Sequence, residues 1–380
     1  MTAQPEAHEP VSAAVEGRYG VIVRSIGDAG AGVVAALRQI SPLPESVLAA
    51  RLFQAPSLLF QRLSREIATA AIDALEGAGL ECALYEKGES FTPGRGDHEV
   101  ALVVRDVSRT GAVLGAMMEL LGVDANEARR ILGTTPTVLL GQISSATVEA
   151  LRRRFEPLGV ALDVSRPSAA RYDVFVGERS AAERAALRDI LARLGIPELR
   201  GDDGGPQPML AVDLSFDDAE RLWEAVRRGQ QTATILNRDF LRFDLRLDAA
   251  VPSPELTEFL VDTAGMPAQI VPKLLKRLPM VTHPCVRWDD LCAYIGRIAE
   301  LGGEASGHLL AFQAFSLKLR EVGDRAATLR LLRALAGLSA ESAEASLAAG
   351  VVDAPLSGVI ARWLAHELKK VGTTAGLVLR

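Results

Sequence analysis

The sequence predicts an α+β protein of five tandem β-α-α-β-α-β domains, each a small antiparallel sheet with helices on one face. Three observations predict it. Apolar strands start at Tyr19, His98, Tyr172, Phe240 and Phe315, roughly 70 to 80 residues apart, and self-similarity at a steady period is the mark of a repeat architecture. Five stretches of helical periodicity each run through a glycine into a closing apolar strand; glycine suits a helix end because it adopts the left-handed conformation without steric cost. Within "FLRFDLRL", Leu241, Phe243, Leu245 and Leu247 alternate with Phe240, Arg242, Asp244 and Arg246, the pattern of a sheet with one buried and one wetter face.

Taken in order, residues 1–17 read as a disordered, mobile polar tail with neither the basic start nor the apolar core of a signal peptide. Repeat one, residues 18–88, opens with "YGVIVRS". A helix follows the glycines at Gly30 and Gly32, Pro42 and Pro44 open a second helix, and "REIATAAIDALEGAGLECALYE" supplies the third helix and last strand. A linker at 89–97, within the polar, Gly- and Pro-rich "KGESFTPGRGD", reads as flexible. Repeat two, 98–166, runs from "HEVALVVRD" to "SATVEALRRRFEPLGVALDVSR". Repeat three, 171–237, lacks the second helix; "GIPELRGDDGGPQP", from Gly195 to Pro208, stands there and cannot sustain one. Repeats four, 238–312, and five, 313–380, follow with almost no linker. Tight joints predict a semi-rigid block of repeats three to five, with repeats one and two more mobile. A unit this small buries a modest core, so contacts between repeats should add stability.

Composition excludes several function classes. A net charge of −6 and a pI near 5.6 give no electrostatic case for nucleic acid or an anionic membrane. Aromatic residues are only 5% of the chain, too few for base-stacking platforms. No apolar run approaches the ~18 residues of a membrane span. Cys82, Cys285 and Cys292 make no disulfide framework, which suits a reducing cytoplasm.

Repeat two carries the most specific pattern: the leading strand "HEVALVVRD", the "LLGVDANEARRIL" joint between helices, the "PTVLLGQIS" crossing and the "ALRRRFEPLGVALDV" ending. It resembles the C-terminal domain of the bacterial ribosomal stalk protein, the seven/twelve protein of the large subunit, whose fold the protease adaptor ClpS shares. The resemblance covers residues 98–166 well and the other repeats less closely. It implies the fold, and with it an adaptor role toward an AAA+ protease or a translation factor. The functional residues of those families do not carry over. The stalk domain's lysine-rich face corresponds to "TGAVLGAMMELLGVDANEARR", which holds no lysine. Repeat one has neither the Asn-Asp pair nor the histidine that build the ClpS pocket.

Other motifs compete for a chemical role. Gly30-Ala31-Gly32-Val33-Val34-Ala35 fits the G-x-G-x-x-A form of a dinucleotide-binding turn, but that site needs a second parallel strand with an acid at its end. Here Pro42 and Pro44 open another helix, so no cofactor is expected. His283, Cys285 and Cys292 supply three potential zinc ligands without a fourth or the usual cysteine spacing; Cys292 falls on the apolar side of its helix. Asp202 and Asp203 lack the ligand periodicity of a calcium loop. The histidines, His8, His98, His283, His308 and His366, are scattered over different repeats without a nearby nucleophile. Arg152 to Arg154 read as the wet face of a helix, offset by Glu149 and Glu156.

The remaining surface of interest is the joint between the first two helices of each repeat. In repeat two it offers Met117, Met118, Leu121 and Val123, with Arg129 and Arg130 as its only cations; methionines left exposed make adaptable contacts. The sequence therefore points to a non-enzymatic scaffold or adaptor that binds proteins through Met117, Met118, Val123, Arg129 and Arg130, with avidity from tandem modules. An enzyme or metal-binding protein using the repeat-three loop or the His283 region is the alternative.

Overall fold

The computed structural model describes residues 17–176, 181–199, 209–231 and 233–380. Among these it holds fourteen α-helices and five three-stranded antiparallel sheets. The first sheet belongs to the run β1 (Tyr19–Ser25), α1 (Gly32–Ile40), α2 (Glu45–Phe53), β2 (Ser57–Leu63), α3 (Arg65–Gly77) and β3 (Glu81–Glu86). Next come β4 (His98–Val104), α4 (Thr110–Leu121), α5 (Ala125–Gly133), β5 (Thr137–Ile143), α6 (Ser145–Phe155) and β6 (Val160–Ser165). The third run has β7 (Tyr172–Phe175), α7 (Ala181–Leu194), β8 (Met209–Leu214), α8 (Phe216–Arg228) and β9 (Thr234–Asn237). Residues 200–208 of the segment Gly195–Pro208 expected to replace a second helix, Asp202 and Asp203 among them, lie outside the described residues. The fourth has β10 (Phe243–Ala250), α9 (Pro254–Ala264), α10 (Val271–Leu274), β11 (Met280–Val286), α11 (Trp288–Glu300) and β12 (Gly303–Leu309). The fifth has β13 (Ala314–Glu321), α12 (Arg325–Ala336), α13 (Ala340–Ala349), β14 (Val351–Ser357), α14 (Gly358–Lys370) and β15 (Thr374–Leu379). None of these helices is long and apolar enough to cross a membrane.

In every sheet the first strand of the run lies in the middle, as in β2-β1-β3 and β11-β10-β12. A central strand is flanked on both edges, and each of the five carries fully buried residues: Val21, Val23, Val100, Val174, Leu245 and Leu317. Local chemistry sets the element ends. The Ser64 and Ser215 hydroxyls accept from the Ile67 and Asp218 amides and start α3 and α8. Gly159, at φ +72, leads into β6, where a Cβ would stand 2.7 Å from the Asp106 side chain. In repeat three the glycine at that turn, Gly229, keeps φ −79, and the next residue, Gln230, takes the left-handed conformation at φ 51.

A shared backbone feature was not visible in the sequence. The second-last residue of β2, β5, β8 and β11 is left-handed: Arg62, Gln142, Asp213 and Cys285, with φ between 56° and 63°. In three of these strands the register slips by one residue at that end, as between Phe243↔Val286 and Leu245↔His283. The left-handed residue absorbs the bulge and turns the strand toward the next helix.

The described chain divides into two compact units. The first comprises the described residues up to Gly96 together with Gln142–Ala150. Its linker is not the free tether its composition suggests. Phe91 sets its ring edge against Tyr85, with centroids 6.0 Å apart, and the Gly94 amide donates to the Pro56 carbonyl at 2.8 Å. A Cβ at Gly94 would come within 2.3 Å of the Ala55 oxygen, so glycine is what lets this segment lie down on the sheet end.

The second unit, Asp97–Gly141 with Leu151–Arg380, holds most of repeat two beside repeats three to five. The expected mobility of repeat two is corrected here. Val107 and Leu114 pack into the core of repeat five, and Gly133 approaches Ile360 closely enough for a Cβ to make ordinary contact at 3.5 Å. Trp363 of α14 is buried in the same cluster. Repeats three and four share Phe175, which enters the core of repeat four and meets Phe312 at 5.2 Å between centroids.

Candidate functional site

Five of the polar residues that the second unit buries, Asp163, Ser165, Asp173, Asn237 and Arg242, lie at the joints between its repeats. Asp163 on β6 is 1% exposed. Arg242, just before β10, forks onto both its oxygens, with Nε 2.9 Å from Oδ2, and Arg287 adds a third bond at 2.7 Å. Ser165 donates to Asp239 at 2.6 Å and accepts from the Asn237 amide at 2.9 Å. Arg238 forks onto buried Asp173 at 3.0 and 2.6 Å, reaches Asp213 at 2.8 Å, and stacks over Trp288. Bidentate guanidinium–carboxylate pairs fix distance and orientation together, so these contacts set the geometry of repeats two and three against repeat four.

Where repeats two, four and five meet, the packing leaves a cavity of about 70 Å³. Its apolar lining includes Leu102, Val104, Phe240, Leu310, Phe315 and Val359. Its polar lining includes Arg242, Cys285, Gln313 and Arg362. Arg242 is neutralised by Asp163, and Gln313 donates its amide to the Leu309 carbonyl at 2.9 Å. Cys285 is held by its own N–H, which donates to Asp244 at 3.0 Å. Burial pushes its thiol above the ordinary range, against the pull of the Arg242 and Arg362 charges, so it is no thiolate nucleophile at neutral pH.

The residues read as a protein-binding joint in repeat two separate into core and surface. Met117 is fully buried; Met118, Val123 and Arg129 are half-buried and Arg130 is exposed. Gly122, at φ 68, ends α4, and Asp124 caps α5 by accepting from the Asn126 and Glu127 amides. Arg129 donates to Asn126 at 3.0 Å, and Arg130 forks onto Glu127 at 2.8 and 2.6 Å. That pairing lowers the Glu127 carboxyl pKa and raises that of Arg130.

The other candidates are dispersed. His283 is buried with Nε2 2.7 Å from Thr263 Oγ1 and Nδ1 3.0 Å from Thr282 Oγ1, beside the ring of Tyr294. Cys292 is exposed, not on the buried side of α11 as its periodicity suggested. Among the described residues no group of three or more His, Cys, Asp or Glu is placed to hold a metal ion. After Gly32, β2 returns antiparallel to β1, so the glycine turn leads into no parallel crossover. Arg154 reaches Glu119 at 2.9 Å. Sequence reasoning missed Asp163, Arg238 and Arg362 as joint and cavity residues. The available signal was a charged residue inside an otherwise apolar strand, Asp163 in "VALDV" and Arg242 in "FLRFD".

No family model, curated protein or solved structure matches the chain.

Proposed function

We propose that this chain is a non-enzymatic scaffold that holds other proteins on a series of stalk-type β-α-α-β-α-β modules, each with its helices on one face of its sheet. The observation that supports this most is the use made of buried charge in the second unit: Asp163 of the second module and Asp173 of the third both bind arginines of the fourth. Such groups hold modules in a set order, which is what presenting several partners requires. The outer surface offers distinct anchors. On α8, Trp223 is 53% exposed with Arg227 stacked over it at 4.8 Å, and tryptophan and arginine dominate binding hot spots. At the α4–α5 joint, Met118, Val123, Arg129 and Arg130 form a second, adaptable surface. The test is capture by the full chain from a lysate of its own source cells, with Met118→Glu and Trp223→Glu compared against the native sequence. Each substitution is expected to drop a different set of retained proteins. Loss of the same proteins from both variants, or of none from either, overturns the reading of separate docking surfaces.

A further inference from the structure

We infer that the cavity at the junction of repeats two, four and five binds a short-chain monocarboxylate, with Arg362 receiving the carboxylate and the apolar lining receiving the tail. Charge accounting selects an anion. Asp163 answers Arg242 and Arg287, whereas Arg362 has no carboxylate partner among the described residues. Its guanidinium is placed for this role: a Cβ at Gly358, which lines the cavity, would lie 3.2 Å from Arg362 Nη2. The head group thus folds back over the first residue of α14. The first amides of this 13-residue helix also lack a side-chain cap, since Ser357 makes no capping bond, and they add positive potential on the same side.

The lining selects the rest of the ligand. Leu102, Val104, Phe240 and Phe315 cannot satisfy a multiply charged, strongly hydrated oxyanion, so a phosphate is a poor fit and an aliphatic tail a good one. A water needs roughly 10–15 Å³ of such space, so a cavity of about 70 Å³ takes on the order of five to seven non-hydrogen atoms, the size of butyrate. The Cys285 thiol stays neutral there, so it adds no competing anion. Binding is non-covalent. A ligand that binds only the folded unit also stabilises the three-repeat joint, a property that goes beyond the scaffold reading and does not depend on any protein partner.

The experiment titrates the full chain with acetate, butyrate, octanoate, butyramide and inorganic phosphate, followed by titration calorimetry and by the midpoint of the earliest thermal transition. Butyrate is expected to bind saturably with a Kd on the order of 1 mM and to raise the midpoint. Acetate, octanoate and butyramide, which lack tail, fit or charge, are expected to bind at least tenfold more weakly. Arg362 is on the surface, so Arg362→Ala should leave the ligand-free unfolding midpoint unchanged and weaken butyrate at least tenfold, with Arg362→Lys in between. The proposal is overturned if butyrate does not saturate, if butyramide or phosphate binds as well as butyrate, or if Arg362→Ala leaves butyrate affinity intact.

Discussion

Replacing Asp163 with alanine tests the view that buried charge sets the joints of the second unit. The carboxylate is almost wholly enclosed and takes three guanidinium bonds, two from Arg242 and one from Arg287. Its removal leaves Arg242, itself 8% exposed, as a buried cation without a counter-ion, which costs about 3–5 kcal/mol. Arg287 is half solvated, and its share is at most about 1 kcal/mol. The total is a large part of the ~5–15 kcal/mol that stabilises a whole domain. Several domains make a single unfolding midpoint ambiguous, so the assay pairs the earliest urea transition with hydrogen exchange of the β6 and β10 amides. Asp163→Ala should bring the first transition down and expose both strands together. Asp163→Leu combined with Arg242→Met, which removes both charges and refills the space, should recover most of the loss. The reasoning is refuted if Asp163→Ala unfolds within about 0.5 kcal/mol of the native chain, or if the double variant is no better than the single one.

Three further outcomes are expected. Burial holds the His283 pKa below its ordinary value. The unfolded chain therefore takes up a proton first as pH falls, and stability is full above about pH 6.5 and declines below it; urea midpoints from pH 7.5 to 5 should fall less steeply in His283→Gln. Cys292 is exposed while burial raises the Cys285 thiol and, with help from Glu76, pushes Cys82 up to about 11. Iodoacetamide at pH 8 should thus label Cys292 well ahead of the other two by mass spectrometry, and equal rates would contradict the burial assigned to them. The Gly94 amide should be protected from exchange in the native chain and lose most of that protection in Phe91→Ala, because the ring contact with Tyr85 holds the linker against its sheet.

The local architecture was legible because its causes are local. Alternation in "FLRFDLRL" set the inward residues Leu241, Phe243, Leu245 and Leu247, all buried, and glycines such as Gly159 marked helix ends that need a left-handed turn. The joints were not legible, because an arginine that pairs with a buried carboxylate on another repeat looks, in one dimension, like an arginine facing water. Arg242 was placed with the wet face of its strand for that reason. Composition likewise misjudged the linker: Gly94 and Phe91 act through contacts with Ala55 and Tyr85, not through chain stiffness. Cys292 shows the opposite error, since helical spacing reports the apolar stripe but not where its edge stops being covered.

The connection between β9 and β10 is only Arg238 to Arg242, and the side chains where it begins are tied down: Asn237 and Asp239 to Ser165, Arg238 to Asp173 and Asp213. Such a connection has no slack. A tug applied at one end of this region travels straight into the neighbouring sheet as torque, and the two halves yield together under load or not at all.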